Sequence, residues 1–78
     1  MTAQLLTDIL NSVLQINKTY QADSALLGAI AEFDSMAVLA VITALEEQLG
    51  IAVDDDEISA EIFETFGSLH AFVQQKLA

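Results

Sequence analysis

No proline interrupts this chain of 78 residues, and it contains only three glycines, Gly28, Gly50 and Gly67. These two residue types punctuate helices more strongly than any others. With 54% hydrophobic side chains and so few breakers, long stretches can run on as helix. The expectation is an all-α chain forming a single domain over residues 1–78, near the lower size limit for unassisted folding. Cysteine is absent, so neither a disulfide nor a thiolate metal site can reinforce so small a core.

Apolar spacing then locates the elements. Leu5, Leu6, Ile9, Leu10, Val13 and Leu14 recur at three-to-four spacing and predict a first helix over residues 3–16, with Thr2 as its cap and Asn17 as its exit. The connection 17–34 carries Tyr20, Ala25, Leu26, Leu27 and Ile30, too apolar a set for a free linker. A loop of that length in a small domain is packed down or functional, and one short helical turn is expected near Asp23–Leu27. A second helix is expected from Ser35 to Leu49, ended by Gly50 in the left-handed conformation. Met36, Leu39, Ile42, Leu45 and Leu49 are assigned to its inner stripe. The acids Asp54, Asp55, Asp56 and Glu57 precede Ile58, Ile62 and Phe63 and suit a helix N-terminus, which predicts a short third helix. Phe66, Leu69, Phe72, Val73 and Leu77 define a fourth, capped by Thr65. The predicted fold is a small four-helix bundle, three longer helices and a short third one.

Charge restricts the partners. Twelve acids face two cations, Lys18 and Lys76, for a net charge of -10. Binding a nucleic acid requires cations that displace its counterions, and residues 19–75 hold none. Nucleic acid and anionic membrane surfaces are therefore poor partners, whereas proteins with basic docking surfaces are attracted at long range. The start of the chain lacks a basic leader region, and Asp8 falls in its first apolar stretch. The longest apolar run, Met36–Leu45, is about half of what a bilayer requires. No membrane insertion and a cytoplasmic location are the expectations.

Ser35 is the residue whose chemistry is worth weighing. It reads first as a helix cap, its hydroxyl meeting an otherwise unpartnered N–H. A nucleophilic serine needs a base, and the single histidine, His70, falls in the last predicted helix; no G-x-S-x-G turn surrounds Ser35. The chain is accordingly not expected to be an enzyme. A helix N-terminus also suits a phosphodiester. Asp34 repels a freely bound anion, but a covalent bond tolerates that repulsion and leaves the acid to orient the serine or to meet the metal of a modifying enzyme. The run Asp54–Glu57 lacks the alternating ligands and glycine of a calcium loop, so no metal site is assigned.

Three segments carry a family resemblance. Leu26-x-x-x-Ile30-x-x-Phe33-Asp34-Ser35-Met36 resembles the approach and attachment motif of acyl carrier proteins. Ala44-Leu45-Glu46-Glu47-Gln48-Leu49-Gly50-Ile51 is similar to the helix end of that family, and Phe63-Glu64-Thr65-Phe66-Gly67-Ser68-Leu69 to the start of its last helix. Each pattern is weak alone, but together, in order and at family spacing, they cover nearly the whole chain. The resemblance implies a covalent 4'-phosphopantetheine at Ser35, flanked by Asp34 and Met36 and installed from coenzyme A by a phosphopantetheinyl transferase using magnesium. The thiol of that arm would hold acyl intermediates as thioesters and pass them between acyl-loading ligases or synthases of lipid or specialised biosynthesis. Partners would dock along the second helix and the loop before it; the docking residues expected here are Ala37, Ala40, Val41, Glu46 and Glu47, with Asp55, Asp56 and Glu57 of the acid run, and the carrier is expected to be a monomer. An acyl chain would be shielded by Leu39, Ile42, Leu45 and Ile62.

One departure matters. Carriers of bulk fatty acid synthesis usually place acids in the first two turns after the serine, where this chain has Ala37, Val38, Ala40 and Val41. Partners would then make more apolar contact near the arm. The D-S-M-A-V run resembles free-standing carriers that accompany exosortase and exopolysaccharide gene clusters. Two other functions remain open on the residues: an aminoacyl or polyketide carrier working with an adenylating ligase, and an unmodified acidic helical interaction module.

Overall fold

The computed structural model describes residues 2–27 and 33–78, with the side chains of Ser35 and Asp55 outside that description. Gly28 and Ile30, the latter part of the approach motif, also lie outside the described residues. Helix α1 spans Ala3–Leu14, α2 spans Ser35–Leu49 and α3 spans Phe66–Leu77, with one 3₁₀ turn at Asp55–Glu57.

Helix α1 begins where its cap predicts. The Thr2 hydroxyl accepts the Leu5 N–H at 3.1 Å, and Leu6, Ile9, Leu10 and Leu14 are buried on one face. The helix ends two residues before Asn17, at Gln15, a non-glycine residue in the left-handed region at φ 57°. The side chain responsible for the exit is Asn11. Its amide donates to the Lys18 carbonyl at 2.9 Å, and its oxygen accepts from the Lys18 N–H and the Tyr20 hydroxyl. Asn11 thus satisfies the start of the long connection from inside the helix.

The connection does not form a helical turn at Asp23–Leu27. It bends at Gln21–Ser24 and then runs extended, Ala25 pairing with Thr65 in an isolated antiparallel bridge. The Leu26 N–H donates to the Glu64 carbonyl and the Leu27 N–H to the Phe63 carbonyl, both at 3.0 Å. Two N–H groups of the first turn of α3, Phe66 and Gly67, donate at 2.8 Å to the Ser24 and Ala22 carbonyls. The first turn of a helix cannot satisfy these donors internally, so a passing strand with spare carbonyls is captured. Tyr20 completes the attachment, its ring stacking on Phe66 at 5.2 Å and 5°.

The third α-helix expected after the acid run is absent from the described residues, which hold three α-helices rather than four. Ile62, Phe63 and Glu64 donate to carbonyls three residues back, at Ser59, Ala60 and Glu61. Tight turns take the place of a helix there, and the carbonyls of Phe63 and Glu64 accept from Leu27 and Leu26. The acids instead fold on themselves, the Glu57 carboxylate accepting the Asp54 N–H at 3.0 Å.

Helix α3 starts with a capping box in which the Thr65 hydroxyl accepts the Ser68 N–H and the Ser68 hydroxyl accepts the Thr65 N–H, each at 3.1 Å. The core joins Leu6, Ile9 and Leu10 of α1, Val41, Ile42 and Leu45 of α2, and Phe66, Leu69 and Val73 of α3. Leu26, Phe33 and Phe63 close it, and no polar or charged side chain is buried among the described residues.

Gly67 sits at the tightest backbone approach. A Cβ there would meet the Ala22 carbonyl oxygen at 2.6 Å, and that oxygen already accepts the Gly67 N–H. Since backbone rather than a flexible side chain must yield, Gly67→Ala is expected to cost about 1–3 kcal/mol. Urea denaturation checks this; a change within about 0.5 kcal/mol would show that the connection is not held against α3 as described.

Candidate attachment and docking site

The start of α2 is fixed from both sides. Upstream, Phe33 is buried and its ring meets Phe63 at 5.8 Å and 52°. Downstream, the exposed Asp34 is the N-cap, its carboxylate accepting the Ala37 N–H at 2.9 Å. Capping therefore belongs to Asp34, and Ser35 is the first helical residue rather than the cap. The reason is geometric: a cap residue has extended backbone, which Asp34 adopts at φ -102° and ψ -174°. The reading of Ser35 as a helix cap is thereby corrected.

The outer face of α2 has a different phase from the one its sequence suggests. Met36 and Leu39, assigned to the inner stripe, are 78% and 58% exposed, while Val41, assigned to docking, is fully buried. Ala37 is half-buried. The exposed stripe is Met36, Leu39, Ala40, Thr43 and Glu47, one helical face at three-to-four spacing. Residues 36–45 are so uniformly apolar that periodicity cannot choose which side turns inward. The outward position of Leu39 and Thr43 was not legible in the sequence for that reason.

The acids divide by role. Glu47, Asp54 and Asp56 are exposed. Glu46 is half-buried and accepts the Val53 N–H at 2.9 Å, tying the loop after α2 back onto the helix, so it is not a free docking charge. Glu57 accepts both the Asp54 N–H and the Lys76 ammonium, the latter at 2.9 and 3.0 Å to its two oxygens. The hydrogen bond from the Asp54 N–H, together with the hydrogen bond and charge of Lys76, holds the Glu57 carboxyl below its ordinary range. The Asp55 side chain lies outside the described residues. His70 is half-buried, its ring against Phe66 at 6.2 Å.

An apolar groove of about 390 Å³ opens beside the first half of α2, walled by Leu27, Val38, Leu39, Ile58 and Phe63, with Ser59 and Ala60 alongside. Of the residues expected to shield an acyl chain, only Leu39 lines it. Ile42 and Leu45 are core, and Ile62 lines a separate hollow against α3. Among the described residues no group of three His, Cys, Asp or Glu side chains forms a metal site, and no helix is long and apolar enough to cross a membrane.

The family model described as the phosphopantetheine attachment site matches residues 4–74. The chain belongs to the acyl carrier protein family. The fold of this carrier is similar to that of a holo acyl carrier protein from Nitrosomonas europaea, with a TM-score of 0.87 and 54% identity over 96% of this chain and 94% of that one. It also resembles a holo acyl carrier protein from Geobacter metallireducens, with a TM-score of 0.80 and 23% identity over 97% of this chain and 85% of that one, which supports the fold. Among curated proteins none matches the chain significantly. As a member of this family the protein is a carrier, not an enzyme, and its prosthetic group is a covalently bound 4'-phosphopantetheine.

The bonds that Glu57 accepts from the Asp54 N–H and Lys76 give the carrier a pH dependence of known sign. A carboxyl whose folded pKa is depressed contributes stability above its unfolded value, and that contribution is lost as pH falls through the folded value. The stability difference between wild type and Glu57→Gln should thus be constant from neutral pH down to the ordinary Glu range and shrink below it. Denaturation at a series of pH values measures this, and a difference that grows on acidification would contradict the assignment.

Proposed function

We propose that Ser35 bears the phosphopantetheine arm and that this chain carries acyl intermediates between the enzymes of a lipid or specialised biosynthetic route. The observation that carries the reading is the match to the attachment family over residues 4–74, with Asp34-Ser35-Met36 at the N-terminus of a helix. Such a terminus favours the phosphodiester through its dipole and its N–H groups. Competing serines are engaged or poorly placed. Ser24 accepts the Gln21 N–H, Ser68 belongs to the capping box, and Ser12 lies within α1. Ser59 is exposed but follows the 3₁₀ turn, away from a capped helix start.

The arm supplies the thiol that this cysteine-free chain lacks, and with it a thioester to acyl cargo. The chain supplies the rest. Asp34 fixes where the helix begins, and its exposed carboxylate is positioned to meet the magnesium of a phosphopantetheinyl transferase. The groove beside Leu39 and Phe63 offers apolar walls to an acyl chain. Tethering such cargo raises its effective concentration at partner enzymes, the acyl-loading ligases or synthases. Residues 1–78 act as one carrier domain in this reading, working as a monomer in the cytoplasm. The alanine-rich start of α2 favours a free-standing carrier of the exosortase or exopolysaccharide type over bulk fatty acid synthesis.

Incubation with coenzyme A, magnesium and a broad-specificity transferase should add the mass of one arm to wild type and Ser59→Ala, and nothing to Ser35→Ala. An unmodified wild type, or an arm on another residue, would defeat the assignment. Asp34→Asn separates the two roles of the acid, because asparagine caps as well as aspartate. Its stability should stay within about 0.5 kcal/mol of wild type, while arm transfer slows about tenfold or more. Unchanged transfer would leave Asp34 a cap alone.

A further inference from the structure

One wall of the apolar groove is a strap pinned at both ends to α3. At its start, Glu57 holds the Lys76 ammonium, from the last turn of α3, on both carboxylate oxygens. At its end, the Ser68 hydroxyl of the first turn donates to the Ile62 carbonyl at 2.8 Å. Residues 58–61 run between these pins with a different space on each side. Ile58 and Ala60 face the groove beside α2. Behind them is an open hollow of about 300 Å³, bounded by Ile62 and by Ser68, Ala71 and Phe72 of α3. Ser59 lines both spaces, so one layer of chain separates them.

The strap is the wall that can yield. Its backbone bonds are three-residue turns, Ile62 to Ser59, Phe63 to Ala60 and Glu64 to Glu61, at 3.2, 3.2 and 3.3 Å, long for an N–H···O bond. A chain wound in such turns advances about 2.0 Å per residue against about 3.3 Å when extended, so opening a turn releases length. Closing the hollow would cover Ile62 and Phe72, both half-buried, and that burial offsets the loss of weak turn bonds. The other walls are held by the core. Val38 and Leu39 belong to α2, fixed from within by Val41, Ile42 and Leu45, and Phe63 is buried against Phe33.

Resting on the reading of this groove as the seat of acyl cargo, we propose that the 58–61 strap bows into the hollow on α3 when a chain outgrows the groove, and that Ala71 sets how far it can go. A methylene is close to a water in size, ~30 Å³, so a groove of about 390 Å³ takes roughly a dozen carbons before a wall must move. Ala71 is exposed and has the smallest side chain in the hollow, but it lines no part of the groove. It limits cargo length from behind the wall, without touching the cargo. A larger side chain there fills the hollow and leaves the groove lining unchanged.

Loading the full chain from hexanoyl- and hexadecanoyl-coenzyme A, with magnesium and a broad-specificity transferase, gives two cargo states to compare by methyl NMR. The methyl groups of Leu39 and Ile58, in the groove, should shift with both cargoes. Those of Ala71 and Ile62, behind the strap, should shift with the longer one alone. Ala71→Leu places a good helix former at an exposed helical position. It should leave hydroxylamine cleavage of the hexanoyl thioester at the wild-type rate and speed that of the hexadecanoyl thioester about threefold or more, as the long chain is driven out. An unmoved Ala71 methyl under hexadecanoyl cargo, or equal cleavage of that thioester in wild type and Ala71→Leu, would overturn the strap and leave the groove reading intact. Groove methyl groups that respond to neither cargo would overturn both.

Discussion

The N-terminus of α3 holds the rest of this structure in register. Its first N–H groups cannot bond within the helix, and they take the Ser24 and Ala22 carbonyls. That capture lays residues 25–27 against 63–65 and leaves the 58–63 segment as one wall of the groove. Gly67 permits the approach because it has no Cβ, and Tyr20 secures it by stacking on Phe66. Ordering the connection costs conformational entropy, and that cost is offset by bonds to donors the helix must satisfy in any case.

The site inherits its geometry from that arrangement. Phe33, buried against Phe63, anchors the chain immediately before Asp34, and Asp34 then decides that the helix begins at Ser35. Anchor and cap are consecutive residues and the groove wall comes from the distant 58–63 segment, so the helix that opens at Ser35 starts beside an apolar cleft. Charge is arranged around this neutral centre rather than within it. Glu46 and Glu57 serve the fold, binding the Val53 N–H and Lys76, whereas Glu47, Asp54 and Asp56 face solvent. A net charge read from composition does not distinguish acids that fasten loops from acids that attract partners.

What could be read from the chain follows local rules. Thr2, Thr65 and Gly50 each announce a helix boundary through chemistry contained within a few residues, and all three act as the sequence suggests. The boundaries of α2 and the start of α3 were legible for the same reason. The misplaced exit of α1 shows the limit, because Asn11 ends it by hydrogen bonds seven to nine residues away.

Sequence by itself determined an acidic, cysteine-free, helical chain with an expected helix start at Ser35 and three motifs that resemble those of acyl carrier proteins, since composition, capping and motif spacing are properties of the chain alone. Tertiary structure decided which side of α2 faces outward, that the acid run closes into a 3₁₀ turn instead of a helix, and that Val41 is core while Leu39 is surface. The physical reason is common to all three. A uniformly apolar or short segment has no preferred face or fold of its own, and takes both from the groups it packs against.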